Sequence, residues 1–280
     1  MELSDKEQIS KLLSKVDEKH KNSIDIDILD RQFSILNLPS QGHYYPDNTK
    51  SLLIRYLSAK EETVLTDELL MESGHALHLV LQNLIISDFD IDGLLAGDFH
   101  AISMFLRSNA YGNKIDLDVQ CPHCSFENKV KLQLDTFKMK DIKMLPNDFG
   151  RVTCQLPYSK QMVSMRIPTF KDEMRFSRLN QENSLERIYG LIHSLDEEED
   201  KVVIRNVMPN LPIRDMRFLK SFLEENTPGV DTSFVHKCEN CDRDFGSSFN
   251  MGEGLLKLPS RYQEVVMNEV FLCHYYGKGI

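Results

Sequence analysis

The sequence predicts an α+β protein: a small N-terminal β element, a helical body, and two cysteine-bearing hairpins interrupted by a mainly helical insertion. Three observations predict it. The apolar period changes along the chain, from short runs to helical spacing and then to strict alternation. Two Cys-x-x-Cys pairs, Cys121/Cys124 and Cys238/Cys241, stand 113 residues apart. Apolar faces at helical spacing fill most of the chain between them.

Residues 1–30 read as a helical or flexible arm, because Ile9, Leu12, Leu13 and Val16 make a narrow helical stripe that Ser4 could cap. Phe33–Leu38 is a short apolar run stopped by Pro39, and Leu52–Leu57 is a second. The Pro, Gly, Asp and Asn residues between them mark a turn, so the two runs predict a small sheet. Thr66 or Asp67 caps a helix. Residues 74–86 predict a buried helix with Leu77, Leu81, Leu84 and Ile85 on one face, and residues 94–108 predict another.

Tyr111-Gly112-Asn113 ends that helix. Ile115, Leu117 and Val119 then alternate with Lys114, Asp116 and Asp118, and the alternation resumes after Cys124 through Val130, Leu132 and Leu134. This is a hairpin with a cysteine knuckle at its tip. Pro146, Pro157 and Pro168 bracket short strands, including Met162–Ile167. Residues 170–226 read as helical, with a charged loop at 196–201 and Pro228-Gly229 as the stop. The second pair lies among Phe234, Val235, Phe245, Phe249 and Met251. The run Val265–Tyr276 is apolar enough to predict a last core helix or a docking surface.

Each Cys-x-x-Cys has the length that places two thiolates on one tetrahedral ion. Two such knuckles brought together make a four-cysteine zinc ribbon, with Cys121, Cys124, Cys238 and Cys241 as ligands of a single structural zinc. The divisions follow: a 1–30 arm, a 31–113 β/helical N-terminal domain, a ribbon from 114–135 and 230–258, a mainly helical insertion at 136–229, and a 259–280 C-terminal segment. A closed four-thiolate shell leaves no position for an activated water, which argues against zinc catalysis. His123 and His236 are therefore expected to be exposed knuckle residues. A thioredoxin-like redox site would need a helix opening at the first cysteine, whereas Ser125–Leu134 reads as strand. Cys154 and Cys273 read as ordinary buried thiols.

Composition sets outer limits. The 280 residues are 41% apolar with a formal charge of −10, and no apolar run is long enough for a membrane span. The N-terminus lacks the pattern of a signal peptide, so a reducing cytoplasm is expected, where paired cysteines point to metal. An acidic surface repels phosphate backbones unless a basic patch stands apart. The candidate patch is Lys129, Lys131, Lys138, Lys140 and Lys143, interrupted by Asp135 and Asp141; a solvated face is the simpler reading. Asp88–Gly93 copies the first half of a calcium loop, but Phe99 stands where the bidentate acid belongs. His75 and His78 lie one helical turn apart, with packing or surface positions as the default. No nucleotide, protease or hydrolase motif occurs, so no catalytic residue is assigned and no enzyme is expected.

With the elements placed, their order resembles a phage family. LPSQGHYY at 38–45 is similar to the LPS-x-G-x-x-Y opening of T4-type baseplate hub proteins. LTDELL (65–70), LAGDF (95–99) and LRSNAYG (106–112) resemble later blocks that lead into a CPxC knuckle, and FLCHYYGKG (271–279) resembles the end. Gln41, where the family pattern has a basic residue, and the acidic arm depart from it. The resemblance implies a late protein of contractile-tail assembly, a hub component or assembly factor. Its partners would be other hub proteins; homo-oligomerisation stays open. Its place would be the host cytoplasm during assembly or the virion tail baseplate. The alternative is a zinc-ribbon regulator that binds nucleic acid or a polymerase, which would need a basic face.

Overall fold

A computed structural model describes residues 33–67, 70, 75–177, 184–196 and 198–249. The arm expected at 1–30, the segment expected at 259–280 and Cys273 lie outside the described residues. Strand β1 (Phe33–Asn37) pairs antiparallel with β2 (Ser51–Arg55), with Leu36 opposite Leu52. The turn between them passes through Gly42 at φ +80°, a left-handed conformation that glycine adopts without cost.

Helix α1 (Ala59–Thr66) starts earlier than the sequence reading placed a helix. Its start is a capping box: the Glu61 carboxylate accepts the Ser58 N–H at 3.0 Å and also takes Arg55 Nη2 at 2.6 Å. The Asp67 carboxylate accepts the Leu70 N–H at 3.1 Å; most of the helix expected to start there lies outside the described residues. Helix α2 (His75–Leu84) buries Leu77, Val80, Leu81 and Leu84. It runs into β2 through an Ile86 N–H to Leu53 carbonyl bond of 3.0 Å. Helix α3 (Ala96–Tyr111) is the central rod, with Phe99, Ile102 and Leu106 fully buried.

Strands β3 (Lys114–Gln120) and β4 (Glu127–Gln133) form the first knuckle hairpin. A three-stranded antiparallel sheet follows, in the order β5 (Arg151–Gln155), β6 (Met162–Arg166), β7 (Ile192–Leu195). Around it lie α4 (Phe170–Ser177), α5 (Ser184–Tyr189), α6 (Lys201–Val207) and α7 (Ile213–Asn226). Strands β8 (Ser233–Lys237) and β9 (Asp244–Ser248) make the second knuckle hairpin.

The architecture is α+β, but two expectations change. Strand β7 lies inside the stretch read as helical, because Ile192 and Leu195 are buried at helix-compatible spacing while their partners are supplied by β6. Among the described residues of 136–229, one strand more than those the prolines bracket thus joins the helices. Nor does the core divide at 113 or 136. Leu38, Leu52, Leu81 and Phe99 share one apolar cluster with Val163, Met165, Ile204 and Leu219.

Buried carboxylates pin this core at defined places. Asp98 accepts the Ser40 N–H at 2.9 Å and the Tyr45 hydroxyl at 2.6 Å, and that hydroxyl in turn accepts the Leu95 N–H at 3.0 Å. Asp215, fully buried in the first turn of α7, accepts the N–H groups of Tyr158 at 2.8 Å and Ser159 at 3.0 Å. It thereby holds the tip of the β5–β6 hairpin. Gly97 meets the chain just beyond α7 so closely that an added Cβ would lie 1.6 Å from the Pro228 carbonyl oxygen.

Candidate metal centre

Both cysteine pairs occupy hairpin tips, and the two tips fold alike. The closing strand pairs are Gln120 opposite Glu127 and Lys237 opposite Asp244. In the first tip the Cys121 N–H donates to the Phe126 carbonyl at 2.8 Å, and the Ser125 N–H donates back to Cys121 at 2.9 Å. In the second, Cys238 donates to Arg243 at 2.9 Å and Asp242 donates to Cys238 at 3.0 Å. The residue after each second cysteine, Ser125 or Asp242, turns the chain at φ +58°.

This turn aims backbone N–H groups at sulfur two positions back. The His123 N–H donates to Cys121 Sγ at 3.4 Å, and Phe126, Asn240 and Arg243 do the same for Cys124, Cys238 and Cys241. Such donors favour thiolates over thiols. For Cys238, burial pushes the thiol up, but the N–H groups of Cys241 and Asn240 and the thiols of Cys124 and Cys121 outweigh it and bring it to about 6. The Phe126 N–H chiefly lowers Cys124. Cys241 ends at about 11: the Arg243 N–H lowers it, but burial and the three neighbouring sulfurs together raise it. Four sulfurs this close cannot all ionise unless a cation joins them.

The geometry fits that cation. All four Sγ atoms lie within 4.8 Å of one another. Cys124 Sγ is 3.6 Å from Cys238 Sγ, and Cys121 Sγ is 3.8 Å from Cys241 Sγ. A tetrahedron of zinc–sulfur bonds of about 2.3 Å has edges of about 3.8 Å. The cluster is compatible with a four-thiolate zinc site, built from the four cysteines that the sequence singled out.

One residue of the site had no signal in the sequence. Asn128, fully buried on β4, accepts the Glu239 N–H at 2.9 Å, inside the opposite knuckle. Its amide nitrogen donates to the Phe126 carbonyl at 3.1 Å. This side chain ties the two tips directly, beside the apolar contact of Val119 and Phe245 with the cysteines.

The flanking histidines differ from each other. His123 is exposed, as expected. His236 is not: it is half-buried and packs edge-on against Phe245 with ring centroids 5.8 Å apart. It lies on the inward-leaning face of β8, a periodicity the knuckle spacing did not reveal. Neither histidine belongs to the ligand cluster. Cys154 is buried in the main core, where burial pushes its thiol up to about 11.

Three lysines of the patch stand against acids. The hairpin register sets Lys129 opposite Asp118 and Lys131 opposite Asp116. Lys143 pairs with Glu225 at 3.1 Å, and Lys140 Nζ donates to the Glu224 carbonyl at 3.4 Å, at the end of α7. In the acidic turn after α2, Asp92 pairs with Lys171 at 3.0 Å and faces His78 Nδ1 at 3.6 Å. That carboxylate is engaged within the fold. His75 is exposed and His78 half-buried on α2, at surface and packing positions.

The blocks LPSQGHYY and LAGDF, far apart in sequence, meet at the Ser40–Tyr45–Asp98 joint. Among the described residues no helix is long and apolar enough to cross a membrane. No curated protein and no solved structure shows significant similarity to the chain. A family model does: the T4 bacteriophage base plate protein model matches residues 37–251, a span that contains both knuckles and the joint. The chain belongs to the T4 bacteriophage base plate protein family.

Proposed function

We propose that this baseplate protein acts as a component or assembly factor of the hub of a contractile tail, binding other hub proteins while one zinc ion locks its two knuckles. Cys121, Cys124, Cys238 and Cys241 hold the ion, and its role is structural. The observation that carries the reading is the family match across residues 37–251. The convergence of four cysteines within 4.8 Å supports the metal. No catalytic turnover is proposed, because the four thiolates would fill the metal's shell and no catalytic motif occurs in the chain. The protein would act in the host cytoplasm during assembly and be found at the tail baseplate if it stays with the particle.

The competing role, nucleic-acid or polymerase binding through a zinc ribbon, has less support. Lys129, Lys131 and Lys143 face acidic partners, and the chain carries a formal charge of −10. One experiment addresses both. Affinity capture from infected cells, with mass spectrometry and a zinc assay on the same sample, should return hub subunits and one zinc per chain. Tight, steeply salt-dependent DNA binding with no phage protein partner would overturn the hub reading.

A further inference from the structure

The four sulfurs differ in exposure and in pairing. Cys121 and Cys238, the first of each pair, are fully buried, while Cys124 and Cys241 are half-exposed. Two close approaches run between the hairpins, Cys124 to Cys238 at 3.6 Å and Cys121 to Cys241 at 3.8 Å. Each crossing pair thus joins a partly exposed cysteine to a fully buried one.

We propose that a hydroperoxide converts the cluster into two crossing disulfides, Cys124–Cys238 and Cys121–Cys241, so that covalent bonds take over the metal's tie between the hairpins. The proposal rests on the four-cysteine metal reading above. The partly exposed sulfur, a thiolate while the metal holds it, attacks the peroxide, breaking its O–O bond to give a sulfenic acid and hydroxide. The buried sulfur of the opposite knuckle then attacks the sulfenic sulfur, and the oxygen leaves as hydroxide or water. Per disulfide, two metal-held thiolates lose two electrons, and one hydrogen peroxide takes them up with two protons from the medium to become two waters. Zinc departs as the free dication once its ligands are oxidised.

Both crossing contacts are short enough to close. Closing each contact to the disulfide length of about 2.05 Å moves each sulfur by less than about 1 Å. A bond within one knuckle would leave its hairpin untied from the other. The N–H groups of His123, Phe126, Asn240 and Arg243 also hold the sulfurs toward the shared centre. The cluster therefore keeps the hairpins joined in a reducing medium through metal, and in an oxidising one through sulfur.

The test uses the full chain. Its zinc is assayed first. The protein is then treated with a few-fold excess of hydrogen peroxide while a chromogenic chelator reads zinc release, and it is digested under non-reducing conditions for mass spectrometry. No basic residue separates Cys121 from Cys124 or Cys238 from Cys241. Trypsin therefore leaves each pair in one peptide. The expected product is a single species joining both peptides through two disulfides, with fragmentation between the cysteines giving the crossing connectivity. One equivalent of zinc should be released as it forms. Two separate peptides, each bridged internally, would overturn the proposal, as would sulfonic acids alone or thiols that stay reduced with zinc retained. Zinc absent before peroxide, with crossing disulfides formed, would instead sink the metal reading and leave the pairing standing.

Discussion

Ser125 and Asp242 hold the left-handed turns that let each knuckle double back, both at φ +58°. A side chain with Cβ is strained there, by about 1–2 kcal/mol for ordinary residues, and aspartate tolerates it better than serine. Ser125→Gly should therefore raise thermal stability, by up to about 1 kcal/mol after glycine's added freedom in the unfolded chain is counted. Ser125→Val should lower it. A lower melting midpoint for Ser125→Gly than for wild type would show that the serine side chain contributes more than the turn. Asn128 acts at the same scale. Asn128→Ala leaves the Glu239 N–H and the Phe126 carbonyl without these partners. The expected cost is about 1–3 kcal/mol, together with faster loss of zinc to a chelator. Unchanged release kinetics would count against a positioning role. The cysteines were legible in the sequence because tetrahedral thiolate binding demands a short spacing. Asn128 was not, because its partner lies 111 positions away and an asparagine after a knuckle carries no such constraint.

At the scale of elements, the joint between the β1–β2 turn and α3 sets how the N-terminal sheet meets the body. Burial pushes the Asp98 carboxyl up, against the Ser40 and Tyr45 donors that pull it down. A carboxyl raised on folding contributes stability that is full below its unfolded pKa and is lost as pH rises through the folded one. Wild type should therefore lose stability relative to Asp98→Asn from about pH 4 upward, read by urea unfolding of the two proteins across pH. A constant difference would mean that Asp98 ionises without penalty in the fold. Gly97 makes a second joint, where the Pro228 carbonyl leaves no room for a Cβ. Gly97→Ala should cost about 3 kcal/mol or more, because the start of α3 or the chain after α7 must move; a melting midpoint within a degree of wild type would contradict this close approach. The helices and knuckle strands were readable because their apolar periods are long or strictly alternating. Strand β7 was not: four residues with buried ends fit a helix as well as a strand, and only the neighbouring β6 decides. Helix α1 did carry a local signal, the Ser58-x-x-Glu61 box, that its weak apolar face obscured.

For the whole molecule, the four-cysteine cluster matters because of what it connects. Cys121 and Cys241 are 120 positions apart, and the chain between them enters the same apolar core as residues 38–106. A cross-link closing a loop of roughly 100 residues stabilises a fold by about 4–5 kcal/mol through the unfolded state, which for a protein of ordinary stability is a large share of the total. Cys238→Ser, or a strong chelator on the reduced wild type, should therefore remove the zinc and lower the melting midpoint by several degrees or more, with loss of solubility. A chelator that strips zinc without moving the midpoint would mean that Asn128 and the apolar packing hold the hairpins unaided. Residues 1–25 pose the opposite case. The family match begins at residue 37, beyond the arm, and the arm's apolar stripe of Ile9, Leu12, Leu13 and Val16 is narrow. A stripe of that width suits a neighbour's groove better than a core, which needs a broader apolar face. Deleting residues 1–25 should leave zinc content and the melting transition intact while weakening capture of hub subunits from infected cells. A truncated chain that fails to fold would place the arm in the core; one that folds and captures hub subunits as well as wild type would take the arm out of assembly.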